Sequence, residues 1–128
     1  MVWQATLVAP RLEPEIMEIS LDALVRANRY MLTRYRVPPL YRSGVRYQTE
    51  EPPAERWLTA PVALQEGVAD CEDLACWRAA ELQMQGERAR PVYKQEQVSG
   101  LPGFRLWHIL VERPGGKFED PSRILGMR

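Results

Sequence analysis

Asp70-Cys71-Glu72-Asp73-Leu74-Ala75-Cys76-Trp77-Arg78-Ala79-Ala80-Glu81-Leu82, followed by Gly86, is the stretch from which the fold of this chain is read. Asp70 is a good helix N-cap and Asp73, three residues on, has the position and chemistry to return the hydrogen bond, so a helix is expected to begin at Cys71. Leu74, Ala75, Arg78, Ala79 and Leu82 recur at helical spacing as one stripe, and Gly86 supplies a left-handed stop. Cys71 therefore falls in the first turn of a helix. Cys76 lies five residues later on another side of the cylinder, so the two thiols are not expected to form a disulfide with each other.

Outward from this helix, the C-terminal half reads as strands. Extended segments are expected at residues 91–97, 104–112 and 117–120, separated by Ser99-Gly100-Leu101-Pro102-Gly103 and by Pro114-Gly115-Gly116. Both faces of residues 104–112 carry apolar side chains, which marks a central strand. On the N-terminal side, residues 2–8 suit a first strand ended near Pro10 and Pro14. An amphipathic helix starting from Ser20 as N-cap carries Leu21, Leu24, Val25, Met31, Leu32 and Tyr35, and stops at Pro38-Pro39. Residues 38–60 are rich in proline, arginine and aromatics, with a short extended piece at residues 45–48. The Pro52-Pro53 pair argues against a regular element there. A helix followed by an antiparallel sheet gives an α+β class.

The composition suits one domain over residues 1–128. The 128 residues are 45% hydrophobic and 27% charged, and Lys plus Arg equal Asp plus Glu at 17, for a formal net charge of zero. That balance gives no electrostatic case for nucleic acid or an anionic membrane as partner. The aromatic and arginine set Tyr30, Arg34, Tyr35, Arg36, Tyr41, Arg42, Arg46 and Tyr47 reads as cation-π surface packing. The start of the chain has no basic region leading into a long apolar run, and no run of eighteen apolar residues occurs anywhere. The expected location is the cytoplasm, with reduced thiols.

His108 is the only histidine in the chain. A helix N-terminus favours a thiolate over the ordinary thiol value of about 8.5, but Asp70, Glu72 and Asp73 surround Cys71 with negative charge and push the other way. Ionisation of Cys71 would then need a nearby imidazolium, which only His108 can supply. The loop at Pro114-Gly115-Gly116 decides whether a carboxylate can orient that ring. A two-residue turn at Gly115-Gly116 would pair Val111 with Asp120 and put the carboxylate on the wrong face. A three-residue loop, with Pro114-Gly115 as a type I turn and Gly116 left-handed, pairs Arg113 with Lys117 and sets Asp120 one diagonal step from His108. The sequence favours the second register. The plain alternatives stay open: Asp70 and Asp73 as mere caps, Cys71 as a small core residue, His108 bonded to a carbonyl, and Asp120-Pro121 as a strand-ending turn.

These residues resemble the transglutaminase-like branch of the papain-like fold, including bacterial transglutaminase-like cysteine proteinases. Gly67-Val68-Ala69-Asp70-Cys71-Glu72-Asp73 is similar to that family's Gly-Asp-Cys-Glu-Asp motif, with Ala69 where a glycine commonly stands. Trp107-His108 resembles its strand histidine and Glu119-Asp120-Pro121-Ser122 its Asp-Pro-Thr ending. The likeness covers residues 57–127, which would be the catalytic core, and leaves residues 1–50 as an N-terminal strand, helix and irregular segment. It implies a papain-like core in which the nucleophile-bearing helix packs on a small antiparallel sheet. It also implies acyl transfer at an amide or peptide bond through a Cys71 thioester, with His108 as acid and base and Asp120 as orienting group.

Hydrolysis of a protein or peptide substrate is favoured over transamidation by the chain's small size. The Cys71 backbone N–H, with Trp57 or Gln65, would hold the oxyanion. Calcium on Asp70, Glu72 and Asp73 is the one cofactor the resemblance suggests, although helix capping explains those residues better. No metal is firmly expected, and the spacing of Cys71, Cys76 and His108 does not suit structural zinc. The rival reading is a non-catalytic papain-like module used in assembly. The chain's size resembles small phage-encoded proteins of this type, which makes a virion one place for it.

Overall fold

The computed structural model describes residues 4–7, 14–49, 55–97 and 105–128. In chain order the elements are β1 (Gln4–Leu7), α1 (Pro14–Arg34), a 3-10 turn (Leu40–Arg42), β2 (Arg46–Tyr47), β3 (Glu55–Leu58), α2 (Ala60–Glu66), β4 (Val68–Ala69), α3 (Cys71–Met84), β5 (Arg90–Gln97), β6 (Arg105–Arg113), β7 (Lys117–Glu119) and α4 (Pro121–Ile124). This is a mixed α+β arrangement in which the antiparallel sheet β5-β6-β7 packs against α3. The expected turn at Ser99-Gly100-Leu101-Pro102-Gly103, the Pro10 and Pro52-Pro53 breaks and the outer residues of the first strand lie outside the described residues. No described helix is long and apolar enough to cross a membrane.

The helix at Cys71 forms as its sequence dictates. Asp70 is extended, its side chain accepts the Cys71 backbone N–H at 2.7 Å and also the Asp73 backbone N–H, and Asp73 returns a bond to the Asp70 N–H at 3.1 Å, completing a capping box. Gly86, with φ of +89°, follows the last turn. The expected single apolar stripe is too narrow, because α3 is buried on nearly every side. Cys71, Ala75, Cys76, Ala79, Ala80 and Leu82 pack with Met17, Leu21, Leu24 and Val25 of α1 and with Ile109 and Val111 of β6. Leu74 and Trp77 pack the other way, against Leu40, Val45, Leu58 and Val62. A helix wedged between two clusters keeps too little solvent face for a clear amphipathic spacing to arise.

Other elements depart from the expectation. α1 begins at Pro14 rather than after Ser20, since proline suits a first helical turn, where its missing N–H has no intrahelical role. Ser20 is thus inside the helix. The segment expected to be irregular contains β3, which pairs antiparallel with β1, and α2 begins at its end. β2, within the expected extended piece at residues 45–48, pairs parallel with β4. Asn28, buried in α1, accepts the Ala60 N–H at 2.8 Å and so fastens the start of α2.

The decisive register is the one with the three-residue loop. Arg113 pairs with Lys117 and Val111 with Glu119, and β6 lies centrally between β5 and β7. Its conformation differs from the expected type I turn, because Gly115 has φ of +82° where type I requires about −90°. Gly116 is left-handed as well, at +72°. Two glycines without a Cβ penalty make this turn accessible.

Candidate active site

The register delivers Asp120 to His108. β7 ends at Glu119 opposite Val111, so the next residue stands diagonal to His108, and Asp120 Oδ2 lies 2.7 Å from His108 Nε2. With Nε2 engaged by the carboxylate, Nδ1 is the ring nitrogen left to exchange a proton with a reacting group. Asp120 also caps α4, accepting from the Arg123 N–H at 3.4 Å. Its two oxygens thereby tie the histidine strand to the last helix.

Cys71 occupies the first residue of α3, and His108 lies on β6, which packs on that helix. The Ile109 amide, next to His108, faces the Cys71 sulfur. The thiol itself donates to Glu72 Oε2 at 3.4 Å, and none of the hydrogen bonds among the described residues joins it to His108. Burial pushes the Cys71 thiol well above the ordinary thiol range, the Glu72 and Asp70 carboxylates push it further, and the Ile109 amide opposes them only in part. Burial and these carboxylates favour the thiol over the thiolate. The acidic turn acts in the expected direction.

The donors expected for an oxyanion are placed unequally. The Cys71 backbone N–H is taken by Asp70 at 2.7 Å, so in this arrangement it is not available as expected. Trp57 lies on β3, buried in the same cluster as Cys71, and its Nε1 has no hydrogen-bond partner among the described residues. Asp73 sets that position by accepting the Leu58 N–H at 2.7 Å. A buried, unpaired indole N–H costs roughly 1–3 kcal/mol, which an incoming oxygen would relieve. Gln65 is exposed on α2 and is not among the residues gathered at the thiol.

Asp70, Cys71 and Glu72 offer ligand atoms within 4.8 Å of one another. Asp73 is spent on two backbone N–H groups, so the oxygen-only calcium set is not the one assembled. A sulfur in place of the third carboxylate suits a hard cation poorly. Cys76 contacts the Leu21 carbonyl of α1 at 3.6 Å, away from any zinc grouping with Cys71 and His108, and both cysteines are free thiols.

Two features escaped the sequence. Tyr47 is not simply surface packing: it lies half-buried against both core clusters, and burial together with the Asp70 and Glu72 carboxylates raises the proton affinity of its hydroxyl. Glu119, adjacent to Asp120, accepts from Tyr41 and from Arg78 at 2.7 Å, while Arg113 reaches its other oxygen at 3.0 Å. Burial opposes the Glu119 charge, yet these donors hold its carboxyl below the usual range. Arg78 also stacks over the Tyr41 ring at 5.0 Å. No spacing rule announces such a network, because it joins α3, β7 and the 3-10 turn. Scans against models of known families, curated proteins and solved structures find no match to this chain.

Proposed function

We propose that this chain performs thiol-dependent acyl transfer at an amide or peptide bond, with hydrolysis as the outcome, in the manner of transglutaminase-like cysteine proteinases. The observation that carries the reading is the 2.7 Å His108–Asp120 bond on the strand whose next amide faces the Cys71 sulfur. Because burial and the neighbouring carboxylates favour the thiol over the thiolate, His108 acts as a general base at the moment of attack. The thiol proton passes to Nδ1 as the sulfur–carbon bond forms. His108 then returns the proton to the leaving amine as the carbon–nitrogen bond breaks, and water hydrolyses the thioester. The indole of Trp57 is the donor available to the oxyanion.

A second reading has its own support. Cys71 and His108 are each only 8% exposed. Two depressions of the described surface, about 450 and 330 Å³, are lined by other residues. Those features suit a non-catalytic module kept for packing or assembly, as in a phage particle. p-Nitrophenyl acetate separates the two readings, with intact mass and peptide mapping as readouts. An acyl adduct on Cys71, formed about a hundredfold more slowly in His108→Ala, is expected for the enzyme. Absence of an adduct, or a rate indifferent to His108, assigns the chain to the structural class.

A further inference from the structure

We propose that the outer face of α1 pairs antiparallel with the same face of a second copy of this chain. The inner face of α1 is accounted for by Met17, Leu21, Leu24, Val25, Asn28 and Met31. On the opposite face Ile16, Ile19 and Tyr30 are 49%, 68% and 56% exposed, and Ala23 is exposed between them. At 100° per residue, Ile16, Ile19, Ala23 and Tyr30 fall within one 60° stripe, and positions 16, 23 and 30 repeat every seven residues. Isolated exposed apolar residues are ordinary, but a stripe along a helix of about 31 Å resembles one side of a coiled-coil seam.

Charge identifies the occupant and its direction. The first half of α1 carries Glu15, Glu18 and Asp22, and the second half carries Arg26, Arg29 and Arg34. A parallel pair would set acid against acid and base against base. An antiparallel pair sets each acidic half against a basic half, and the two-fold axis makes a single complementary pattern serve both copies. With Ala23 on the axis, Ile16 meets Tyr30 of the other copy and Ile19 meets its Ala27, while the small Ala23 side chain permits close approach. Asp22, now 3.5 Å from Arg26 of its own helix in a highly exposed pair, would gain the other copy's Arg26 as a second partner.

The test is sedimentation velocity on the full chain from about 5 to 500 µM, because a seam of two heptads is expected to dissociate in the micromolar range. The mass should rise from 14.8 kDa towards twice that value. Ile19→Glu should raise the dissociation constant at least about tenfold, with its thermal melt unchanged at dilutions where both proteins are monomeric, because the side chain is exposed there. Ala23→Cys should be joined into a dimer by a short bismaleimide. Ile16→Cys should not, since its copies stand about 21 Å apart along the seam. A chain that stays monomeric throughout, or an Ile16→Cys that links as readily as Ala23→Cys, overturns the proposal. So would a monomer whose α1 binds phosphatidylcholine–phosphatidylglycerol vesicles and loses that binding in Ile19→Glu, because the face would then belong to a lipid surface.

Discussion

Replacing Glu72 by glutamine should make Cys71 easier to ionise, and the size of the effect follows from one distance. Glu72 Oε2 is 3.4 Å from the sulfur, and both residues are buried. At an effective dielectric of about 20, a unit charge at that distance disfavours a thiolate by roughly 5 kcal/mol. Charge delocalised over two oxygens and relaxation of the turn reduce this, so a fall of about 2–3 pKa units is expected. Burial and Asp70 remain, and the thiol stays above its ordinary value. A lower pKa also makes a weaker nucleophile, with rate following about 0.4–0.5 of the shift, so iodoacetamide alkylation at pH 8 should accelerate ten- to thirtyfold, as an order-of-magnitude estimate. The assay is peptide-resolved alkylation between pH 7 and 9. Cys76, fully buried in the core, serves as the silent internal reference. An unchanged rate would refute the electrostatic account of the turn, and a slower one would mean that Glu72 draws the proton off the thiol and activates it.

Alkaline conditions should destabilise the fold. Burial holds the folded-state values of both Cys71 and Cys76 above the unfolded value of about 8.5, so above that pH the unfolded chain binds fewer protons than the folded one. The loss should reach about 1.4 kcal/mol per thiol by pH 9.5 relative to neutrality. Urea unfolding at pH 7.5 and 9.5 measures it, and Cys76→Ala should remove about half of the difference. Asp73→Ala strips the acceptors from the Leu58 and Asp70 N–H groups, and a loss of about 2–4 kcal/mol in urea denaturation is expected. Asp73→Asn keeps one acceptor and should lose less; equal losses would contradict the dual-acceptor role.

Much of the site was legible because its grammar is local. Asp70 and Asp73 mark the start of α3 through a capping box that involves only neighbouring residues, and Gly86 marks the end. The pairing of β6 with β7 was readable because a Pro-Gly-Gly loop restricts the register, even though the turn type came out differently. Ser20 was misleading as a cap because an N-cap signal does not show whether helical residues precede it. The pieces β3, β4 and α2 were missed since each is short and stabilised by partners distant in sequence, such as Asn28 for Ala60 and β1 for β3.

By itself the sequence determined the helix that begins at Cys71, the central strand bearing His108, and the turn that puts Asp120 on the histidine's face, because caps, alternation and turn chemistry act over a few residues. Tertiary structure decided the state of the thiol. Burial in the cluster shared with α1 and β6, a carboxylate 3.4 Å away and an amide from β6 set its proton affinity, and these depend on which surfaces meet. It also decided that the Cys71 N–H serves Asp70 while the Trp57 indole has no partner among the described residues, since competition for hydrogen bonds is settled only once every donor has its place.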